Sequence, residues 1–348
     1  ASYMIQPKIG YIRVNRFGAT TAEEFKKAMK SLQQQGMKDL ILDLQGNGGG
    51  YLNAAIDLAN EFLGQKELIV YTEGRTAQRS EFFAKGNGEF RDGRLIVLVD
   101  EYTASASEIV SGAVQDWDRG IIVGRRSFGK GLVQRPIDLP DGSMIRLTIA
   151  RYYTPAGRCI QKPYDSSTDY NKDLIERFNH GELMNADSIH FPDSLKVQTK
   201  KLGRTVYGGG GIMPDYFVPI DTTLYTDYHR NLVAKGAVIK FTMKFIEGHR
   251  KELANKYKKF ESFNEKFIID DDMLATLREM GEKEGVKFNE EQYQKSLPLI
   301  KTQLKALIAR DLWDMNEYFR VMNTTNESVQ KALEILNSEE YQKKLRAN

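Results

Sequence analysis

Residues 39–50 read Asp-Leu-Ile-Leu-Asp-Leu-Gln-Gly-Asn-Gly-Gly-Gly. The first six residues, 39–44, form a nearly continuous apolar run, which is typical of a strand buried on both faces of a parallel sheet. The glycine-rich turn at 46–50 then leads into a helix that we expect near Leu52–Phe62. A buried strand, a tight turn and a helix in this order predict an α/β core.

Upstream of this unit, the sequence predicts one more strand and one more helix. Residues 8–14 alternate between apolar and polar side chains, which is the pattern of a strand. Thr21 and Glu24 form a capping box for a helix that runs to about Gln35, where Gly36 ends it.

Downstream, the same patterns predict further strands and one interruption. The expected strands are 67–71, 95–99, 120–123 and 143–153, and a helix begins near Ser105. Strands that alternate with helices at this spacing indicate an α/β core with much parallel pairing. The polar segment 76–90 interrupts the alternation, and we expect it to form a lid or cap over the site rather than part of the sheet.

The character of the sequence changes near Asp221. Apolar residues recur there at intervals of three and four: Leu297, Ile300, Leu304, Ile308, Leu312, Met315, Phe319 and Met322. This spacing predicts one amphipathic helix, with Pro298 tolerated in its first turn. We therefore expect a core of residues 1–220 and an α-helical C-terminal region of residues 221–348, which packs on the core or binds a partner.

The composition is that of a globular protein and excludes several classes of function. The chain has 348 residues, enough for one large or two ordinary domains. A formal net charge of +3 predicts neither nucleic-acid nor membrane binding. No run of about 18 apolar residues is present. The first residues show no signal peptide, so we expect a mature or trimmed form. The single Cys159 excludes an intramolecular disulfide and a cysteine-rich metal site.

Ser105 and Lys130 are the candidate catalytic pair. Ser105 lies in Thr-Ala-Ser-Ala-Ser-Glu-Ile (103–109), and Lys130 lies in Phe-Gly-Lys-Gly (128–131). A serine hydroxyl needs a base to become a nucleophile, and all four histidines lie well downstream in polar, loop-like or helical stretches. A lysine kept neutral by burial is the alternative base, for which its ordinary pKa of about 10.4 must fall by ~2–3 units. The pair predicts a serine-lysine hydrolase.

The serine also has a structural interpretation. Ser105 and Glu108 match the Ser-x-x-Glu capping box, so Ser105 could simply cap a helix. Its small neighbours Ala104 and Ala106 would let a substrate backbone approach, and a helix start supplies N–H groups for an oxyanion. Ser107 is a rival nucleophile that spacing alone does not exclude.

The lysine lies in a pattern that nearly matches a phosphate-binding loop. Gly124, Gly129 and Lys130 have the spacing of that motif, but Gly131 stands where the motif needs a serine or threonine to bind magnesium. The residues that follow, Leu-Val-Gln-Arg-Pro, are not helical, so no helix N-terminus is available for a phosphate. We therefore reject a nucleotide site.

Two further elements could support hydrolysis. If residues 130–134 are extended, Gln134 shares a face with Lys130, and its neutral amide would orient the amine without stabilising the charged form. The glycine turn at 46–50 is either a tight connection or a source of backbone N–H donors for an oxyanion.

Five segments together give the chain a family resemblance. They are Leu-Asp-Leu-Gln-Gly-Asn-Gly-Gly-Gly (42–50), Val-Leu-Val-Asp (97–100) with Thr-Ala-Ser-Ala-Ser-Glu-Ile (103–109), Val-Gly-Arg-Arg-Ser-Phe-Gly-Lys-Gly-Leu-Val-Gln (123–134), Tyr-Tyr-Thr-Pro-Ala-Gly-Arg-Cys-Ile-Gln (152–161) and Gly-Gly-Gly-Gly-Ile-Met-Pro-Asp (208–215). With these segments in this order, the chain resembles the C-terminal processing, or tail-specific, protease family.

The resemblance implies a fold and a set of catalytic roles. The fold is a Clp-protease/crotonase-like α/β core, to which this chain adds a cap segment and an α-helical C-terminal region. The family pattern places the nucleophile at Ser105, the base at Lys130 and a helper glutamine at Gln134. It implies neither a metal nor a cofactor.

The resemblance also implies how an oxyanion would be held. The donors would be the backbone N–H of Ala106 and that of a glycine in the 46–50 turn, with Gly50 preferred and Gly49 the alternative. Asp116 would be a further orienting residue.

The activity that the resemblance implies is cleavage of proteins at or near unstructured C-termini, in a bacterial periplasm or cell envelope. Family members usually carry a PDZ domain, which is not visible in this sequence. The resemblance is also compatible with a homo-oligomer. No nucleic acid is expected as a partner. Two alternatives stay open, namely a catalytically inactive ligand- or peptide-binding module of the same fold and a crotonase-like enzyme acting on acyl thioesters.

Overall fold

The structure is a computed structural model, and it describes residues 1–163 and 172–346. The chain divides into two compact units. One unit comprises Ser2–Pro219 together with the residues from Lys331 onwards, and the other comprises Ile220–Gln330. The first unit is an α/β core and the second is helical. The sequence predicts a helical region over 221–348, whereas the residues from Lys331 onwards group with the α/β core.

The strands of the first unit form three sheets. In chain order the strands of the described residues are β1 (Ser2–Gln6), β2 (Ile9–Arg13), β3 (Asp39–Asp43), β4 (Leu68–Glu73), β5 (Ser80–Phe83), β6 (Leu95–Val99), β7 (Ile121–Gly124), β8 (Leu132–Asp138), β9 (Met144–Tyr153), β10 (Lys196–Gln198), β11 (Thr205–Tyr207) and β12 (Tyr216–Phe217).

The main sheet has six strands in the order β1-β2-β3-β6-β7-β12. β1 is antiparallel to β2, and every other neighbouring pair is parallel. β3 and β6 are buried along their whole length, which explains why both appear in the sequence as apolar runs. In their register, Leu40 lies opposite Leu95 and Leu42 opposite Val97.

The helices belong to both units. They are α1 (Thr21–Gln34), α2 (Leu52–Asn60), α3 (Ala106–Asp116), α4 (Asp173–Asn179), α5 (Asp227–Ala234), α6 (Ala237–Lys256), α7 (Phe260–Lys266), α8 (Asp271–Lys283), α9 (Glu290–Leu312), α10 (Met315–Met322), α11 (Glu327–Asn337) and α12 (Glu340–Lys344). The buried faces of α1, α2 and α3 contribute to one apolar core with the strands of the main sheet. Among the described residues, no helix combines the length and the apolar character needed to cross a bilayer.

A second, antiparallel sheet has the order β5-β4-β9-β8. β8 is one edge strand, and an edge position tolerates Pro136, which has no N–H to donate. The segment 76–90 lies outside the main sheet, as expected for a cap, but it supplies β5 as the other edge strand. The third sheet is the β10–β11 hairpin.

Three details of the predicted helices are wrong. Residues 297–322 form two helices rather than one, because Asp314 accepts a hydrogen bond from the amide of Asn316 and begins α10. Pro298 consequently lies more than two turns inside α9, since Asn289 caps that helix much earlier.

The capping box predicted at Thr21 is also absent. Thr21 is the first residue of α1 rather than its cap, and its hydroxyl bonds to the amide of Gly18 and the carbonyl of Arg16. The C-terminal end of α1 is as predicted, with Gly36 in a left-handed conformation at a φ of 92°.

The last part of the chain returns to the first unit. The hydroxyl of Tyr341 accepts a hydrogen bond from the amide of Leu95 at 2.9 Å, and Arg94 donates to the carbonyl of Leu336 at 2.7 Å. Tyr341 is buried in this contact. In chain order, the helical unit is therefore inserted between two parts of the α/β unit.

Candidate active site

Three glycine- or alanine-rich segments follow three neighbouring strands of the main sheet. The turn at 46–50 follows β3, residues 100–105 follow β6, and the loop at 125–131 follows β7. The three strands are parallel, so their carboxyl ends lie at one edge of the sheet and the segments meet there. The fold therefore brings together the three segments that the sequence singles out.

Asn47 fixes the glycine turn to the serine segment. This buried side chain donates to the carbonyl of Val14 at 2.7 Å and accepts from the amide of Gly49 at 2.9 Å. Its backbone carbonyl accepts hydrogen bonds from the amide of Ala104 and from the hydroxyl of Ser107, both at 2.9 Å. Ser107 is fully buried, so its hydroxyl is poorly placed to act as a nucleophile.

Ser105 has a backbone conformation that a residue with a side chain rarely adopts. Its φ is 57° and its ψ is −114°, and it lies immediately before the first residue of α3. Strained turns of this kind between a strand and a helix are typical of nucleophilic serines. The side chain is partly exposed, in contrast to the neighbouring Ser107.

Glu108 joins the serine segment to the lysine loop. Its fully buried carboxylate accepts from the amide of Ser105 at 2.7 Å, the hydroxyl of Ser127 at 2.5 Å, the amide of Gly129 at 2.7 Å and the amide of Lys130 at 2.9 Å. Burial raises the pKa of Glu108, and the four donors oppose this rise. The capping-box pattern indicates the bond to Ser105, but nothing in the sequence indicates the other three.

Two unbonded backbone amides lie in the segments around Ser105, one in the glycine turn and one at the start of α3. A Cβ atom added to Gly49 would lie 2.7 Å from Cβ of Ser105 and 2.9 Å from the nitrogen of Ala106, so the turn packs directly against the serine. Because the amide of Gly49 is already bonded to Asn47, it is not available to a substrate. Among the residues that the structure describes, the amides of Gly50 and Ala106 have no acceptor.

The side chains of the candidate dyad are not hydrogen-bonded to each other. Within the described parts of the chain, Oγ of Ser105 and Nζ of Lys130 are not joined by a hydrogen bond, and the side chain of Ser105 instead takes part in the capping box of α3 with Glu108. Lys130 is exposed, and so is Gln134, which lies opposite Thr148 on the edge strand β8. The structure therefore brings the backbones of the dyad together and leaves the lysine side chain in solvent.

Asp116 lies at the opposite end of α3 from Ser105. Because α3 has 11 residues, the two ends are about 16 Å apart. The buried Asp116 carboxylate pairs with Arg158 and accepts from the amide of Ala156 at 2.8 Å. Its contacts therefore hold the turn at 154–158. Among the described residues, no group of three potential metal ligands is present.

Comparison with known families gives two matches, one within the α/β unit and one within the helical unit. Residues 8–168 match the model of peptidase family S41, and residues 228–314 match the model of DUF8443, a family of unknown function. The S41 match covers the three site segments and strands β2 to β9, and it ends before α4.

Curated relatives resemble part of the chain. A carboxyl-terminal-processing protease of Picosynechococcus sp. is 45% identical over 155 residues, which is 44% of this chain and 37% of that protein. A probable CtpA-like serine protease of Staphylococcus aureus is 30% identical over 284 residues, which is 79% of this chain and 54% of that protein. The chain thus spans between about a third and about half of the length of these relatives.

The solved structure of a photosystem II D1 C-terminal processing protease is 30% identical, with a TM-score of 0.45. The alignment covers 62% of this chain and 43% of that one. The S41 match and the curated relatives confirm the family resemblance, and the strands and helices of the chain form the α/β core with an added helical region that the sequence predicts.

Proposed function

Since residues 8–168 belong to peptidase family S41, we propose that this chain is the catalytic part of a serine endopeptidase that cleaves proteins at or near unstructured C-termini. One observation carries the proposal: a single carboxylate, that of Glu108, holds the backbones of Ser105 and Lys130. A buried acid that spans the two candidate segments gives the serine and the lysine a common support.

In the proposed reaction, Ser105 is the nucleophile and Lys130 is the base. Nζ of a neutral Lys130 takes the proton from Oγ of Ser105, whose oxygen bonds to the carbonyl carbon of the scissile peptide. Lys130 then gives that proton to the leaving amine as the C–N bond breaks. Water hydrolyses the resulting ester and restores the serine.

The exposure of Lys130 adds a requirement to this reaction. Water stabilises the charged ammonium, so Lys130 must be shielded before it can act as a base. We infer that a bound substrate, or a rearrangement that accompanies binding, moves the side chain toward Ser105 and excludes water. The resting arrangement would then be inactive until a substrate arrives.

The amides of Gly50 and Ala106 are the proposed oxyanion donors. Ala106 begins α3, whose N-terminus carries a partial positive charge. Each donor of this kind contributes about 2.7–4 kcal/mol in enzymes where one has been removed. Gly49 has a different role, which is to bring the turn close to Ser105 without a side chain in between.

Gln134 and the edge of β8 are the proposed contacts for an extended substrate. An unpaired strand edge can bind an extended peptide as an additional strand, and β8 begins two residues after Lys130. The amide of Gln134 would orient the lysine amine.

Tyr51 and Tyr102 are 66% and 59% exposed and offer apolar surface beside the glycine turn and the serine segment. We propose residues 76–90, which include β5, as the cap.

The remaining expectations extend beyond the described chain. By resemblance, we place the enzyme in a bacterial periplasm or cell envelope, with a PDZ domain elsewhere in the full-length protein that captures substrate C-termini. Cell fractionation followed by immunodetection tests the location, and detection in the cytosol alone would contradict it.

A catalytically inactive peptide-binding module is the second candidate function. It is favoured by the exposure of Lys130 and by the absence of a hydrogen bond between Lys130 and Ser105 among the described residues. The same strand edge and the same glycine turn would then bind a peptide without cleaving it.

Degradation of casein separates the two candidates. We expect the unmutated chain to degrade casein, and Ser105→Ala and Lys130→Ala to lower the rate at least ~1,000-fold while remaining folded. Lys38→Ala, which removes an exposed lysine from the opposite end of the main sheet, is the matched control and should retain full activity. Unchanged proteolysis in Lys130→Ala would contradict the dyad.

If the unmutated chain does not degrade casein, labelling of Ser105 by a fluorophosphonate distinguishes a resting protease from a binding module. Labelling that is lost in Ser105→Ala would indicate a competent nucleophile in a resting enzyme. Absence of both proteolysis and labelling would favour the binding module.

A further inference from the structure

The loop at 125–131 carries Lys130, and it has no helix or strand of its own. Its position is therefore set by contacts with other segments. Glu108 supplies those on the side of the serine segment. A different set of contacts comes from Lys162 and from residues 173–182, which include α4.

Arg177 of α4 makes two of these contacts. Its buried guanidinium donates to the carbonyl of Arg126 at 2.7 Å and to the carbonyl of Ser127 at 3.2 Å. Its Nε donates to Glu182 at 2.7 Å, and Glu182 also accepts two hydrogen bonds from the side chain of Arg126, both at 2.7 Å. A rigid planar guanidinium can serve three acceptors in this way, whereas a lysine ammonium has a different geometry.

Lys162 holds the next two residues of the loop. Its amide donates to the carbonyl of Gly129 at 2.9 Å, and its Nζ lies 3.9 Å from the centre of the Phe128 ring. The same Nζ pairs with Asp173, the first residue of α4, at 2.7 Å. Every residue from Arg126 to Gly129 is thus contacted by Lys162, Arg177 or Glu182.

The S41 match ends at residue 168, so Arg177 and Glu182 lie beyond it. Neither residue is hydrogen-bonded to Ser105 or Lys130 among the described contacts, which means that any effect on catalysis must act through the loop. A buried ion pair alone is weak evidence for stability. Two guanidinium bonds to consecutive carbonyls of one loop, in contrast, specify where that loop lies.

We propose that Arg177 is a positioning residue that, together with Glu182, holds the Lys130 loop in register with Ser105. This inference rests on the proposed function, in which Lys130 is the base. Without Arg177, the carbonyls of Arg126 and Ser127 lose their donors and the loop shifts relative to the serine. A misplacement of about 1 Å at such a distance from the chemistry can cost about 100-fold in rate.

Arg204 offers a matched control. It is also largely buried, and it pairs with two carboxylates, Asp118 and Asp215. Among the described residues, the Arg204 side chain forms no hydrogen bond or ion pair with the loop at 125–131, and it instead donates to the carbonyl of Gln115 near the end of α3. Arg204→Ala therefore removes a buried, doubly paired arginine without releasing the lysine loop.

The experiment compares casein degradation by the full chain, Arg177→Ala, Arg177→Lys and Arg204→Ala, with rates normalised to the folded fraction. We expect Arg177→Ala to lower kcat about 100-fold with KM within about twofold, because ground-state binding of the substrate is retained. Arg177→Lys should recover part of the loss, and Arg204→Ala should lower the melting temperature but keep kcat. Equal kcat in Arg177→Ala and Arg204→Ala overturns the proposal.

If Arg177→Ala does not fold, Glu182→Gln replaces it. This nearly isosteric change weakens the bonds of both arginines, and we expect kcat to fall about tenfold, a change of about 1.4 kcal/mol in the barrier. An unchanged kcat in Glu182→Gln overturns the proposal in that case.

Hydrogen exchange distinguishes failure of this inference from failure of the proposed function. The amides of Gly129 and Lys130 should exchange faster in Arg177→Ala or Glu182→Gln than in Arg204→Ala, whether or not the chain is a protease. Faster exchange in a chain without Lys130-dependent proteolysis would support the positioning role of Arg177 and Glu182 and contradict the proposed function. Equal exchange in these variants would contradict that positioning role itself.

Discussion

The backbone amides of Ser105 and Lys130 donate to the same oxygen, Oε2 of Glu108, at 2.7 and 2.9 Å. The other oxygen of this carboxylate accepts from Ser127 and Gly129. A residue three positions after the proposed nucleophile therefore holds the backbone of the proposed base. Any change at Glu108 is expected to disturb both catalytic segments together.

The first prediction concerns this carboxylate. Glu108→Gln replaces one acceptor oxygen by an NH2 group, so buried donors among Ser105, Ser127, Gly129 and Lys130 lose a partner. We expect a loss of about 1–3 kcal/mol in the free energy of unfolding, measured in urea, and a fall in casein degradation by the folded protein. Glu24→Gln on the exposed surface of α1 is the control and should alter neither. Full activity of a folded Glu108→Gln variant would show that the shared carboxylate is dispensable.

The second prediction separates two adjacent glycines. Gly49 has a φ of 97°, and a Cβ atom there would lie 2.7 Å from Cβ of Ser105. A Cβ atom on Gly48 would meet nothing within 4 Å. Gly49→Ala should therefore lower fluorophosphonate labelling of Ser105 about 100-fold or more, and Gly48→Ala should leave it nearly unchanged. Equal labelling rates in the two variants would refute the close packing of the turn against the serine.

The third prediction tests whether Asp116 orients the site. Its buried pairing with Arg158 means that Asp116→Asn leaves a buried arginine without its charge partner. We expect the free energy of unfolding to fall by about 3 kcal/mol or more, while the labelling rate of Ser105 in the folded protein stays the same. Asp141→Asn, on the exposed turn between β8 and β9, is the control. Slower labelling without a loss of stability would instead assign Asp116 an orienting role.

The fourth prediction concerns the pH dependence of the helical unit. His229 is buried, its Nε2 lies 3.0 Å from the amide oxygen of Gln303, and its Nδ1 has no partner among the described residues. Burial lowers the pKa of His229 below its ordinary value of 6.5. As pH falls below 6.5, the unfolded chain binds a proton that the folded chain does not, so the free energy of unfolding decreases.

Thermal melting between pH 7.5 and pH 5.5 measures this effect. We expect His229→Gln to weaken the dependence of the melting temperature on pH, because the variant has no imidazole to protonate at this position. The exposed His249, whose ring stacks on Phe245, provides the control variant His249→Gln. If the melting temperatures of the two variants depend on pH in the same way, His229 is not the source of the pH dependence.

The sequence predicts the arrangement of the site segments because their positions follow from chain topology. Parallel strands at 39–44, 95–99 and 120–123 place the residues that follow them at one edge of a sheet, whatever the details of packing. Ser105, Lys130 and the glycine turn could therefore be grouped before the structure was known. The buried runs of β3 and β6 were equally clear, since a strand covered on both faces has no polar alternation.

The contacts that support the site could not be predicted in the same way. Asn47 and Glu108 act through bonds to backbone groups that are distant in sequence, and a backbone donor leaves no signal in the residue types around it. The segment around Arg177 has no marked apolar periodicity, because polar bonds rather than a buried face position α4. The break between α9 and α10 was missed because the apolar spacing continues across it.

The return of Tyr341 to the amide of Leu95 has a consequence for how the protein forms during synthesis. β6 occupies the middle of the main sheet, yet one of its backbone donors is satisfied by a residue that the ribosome adds almost 250 positions later. At about 5–20 residues per second, the first unit waits at least some ten seconds for its last partner. During that interval the nascent α/β core lacks its last segment while the helical unit emerges from the ribosome. The helical unit can therefore fold before the α/β unit is complete.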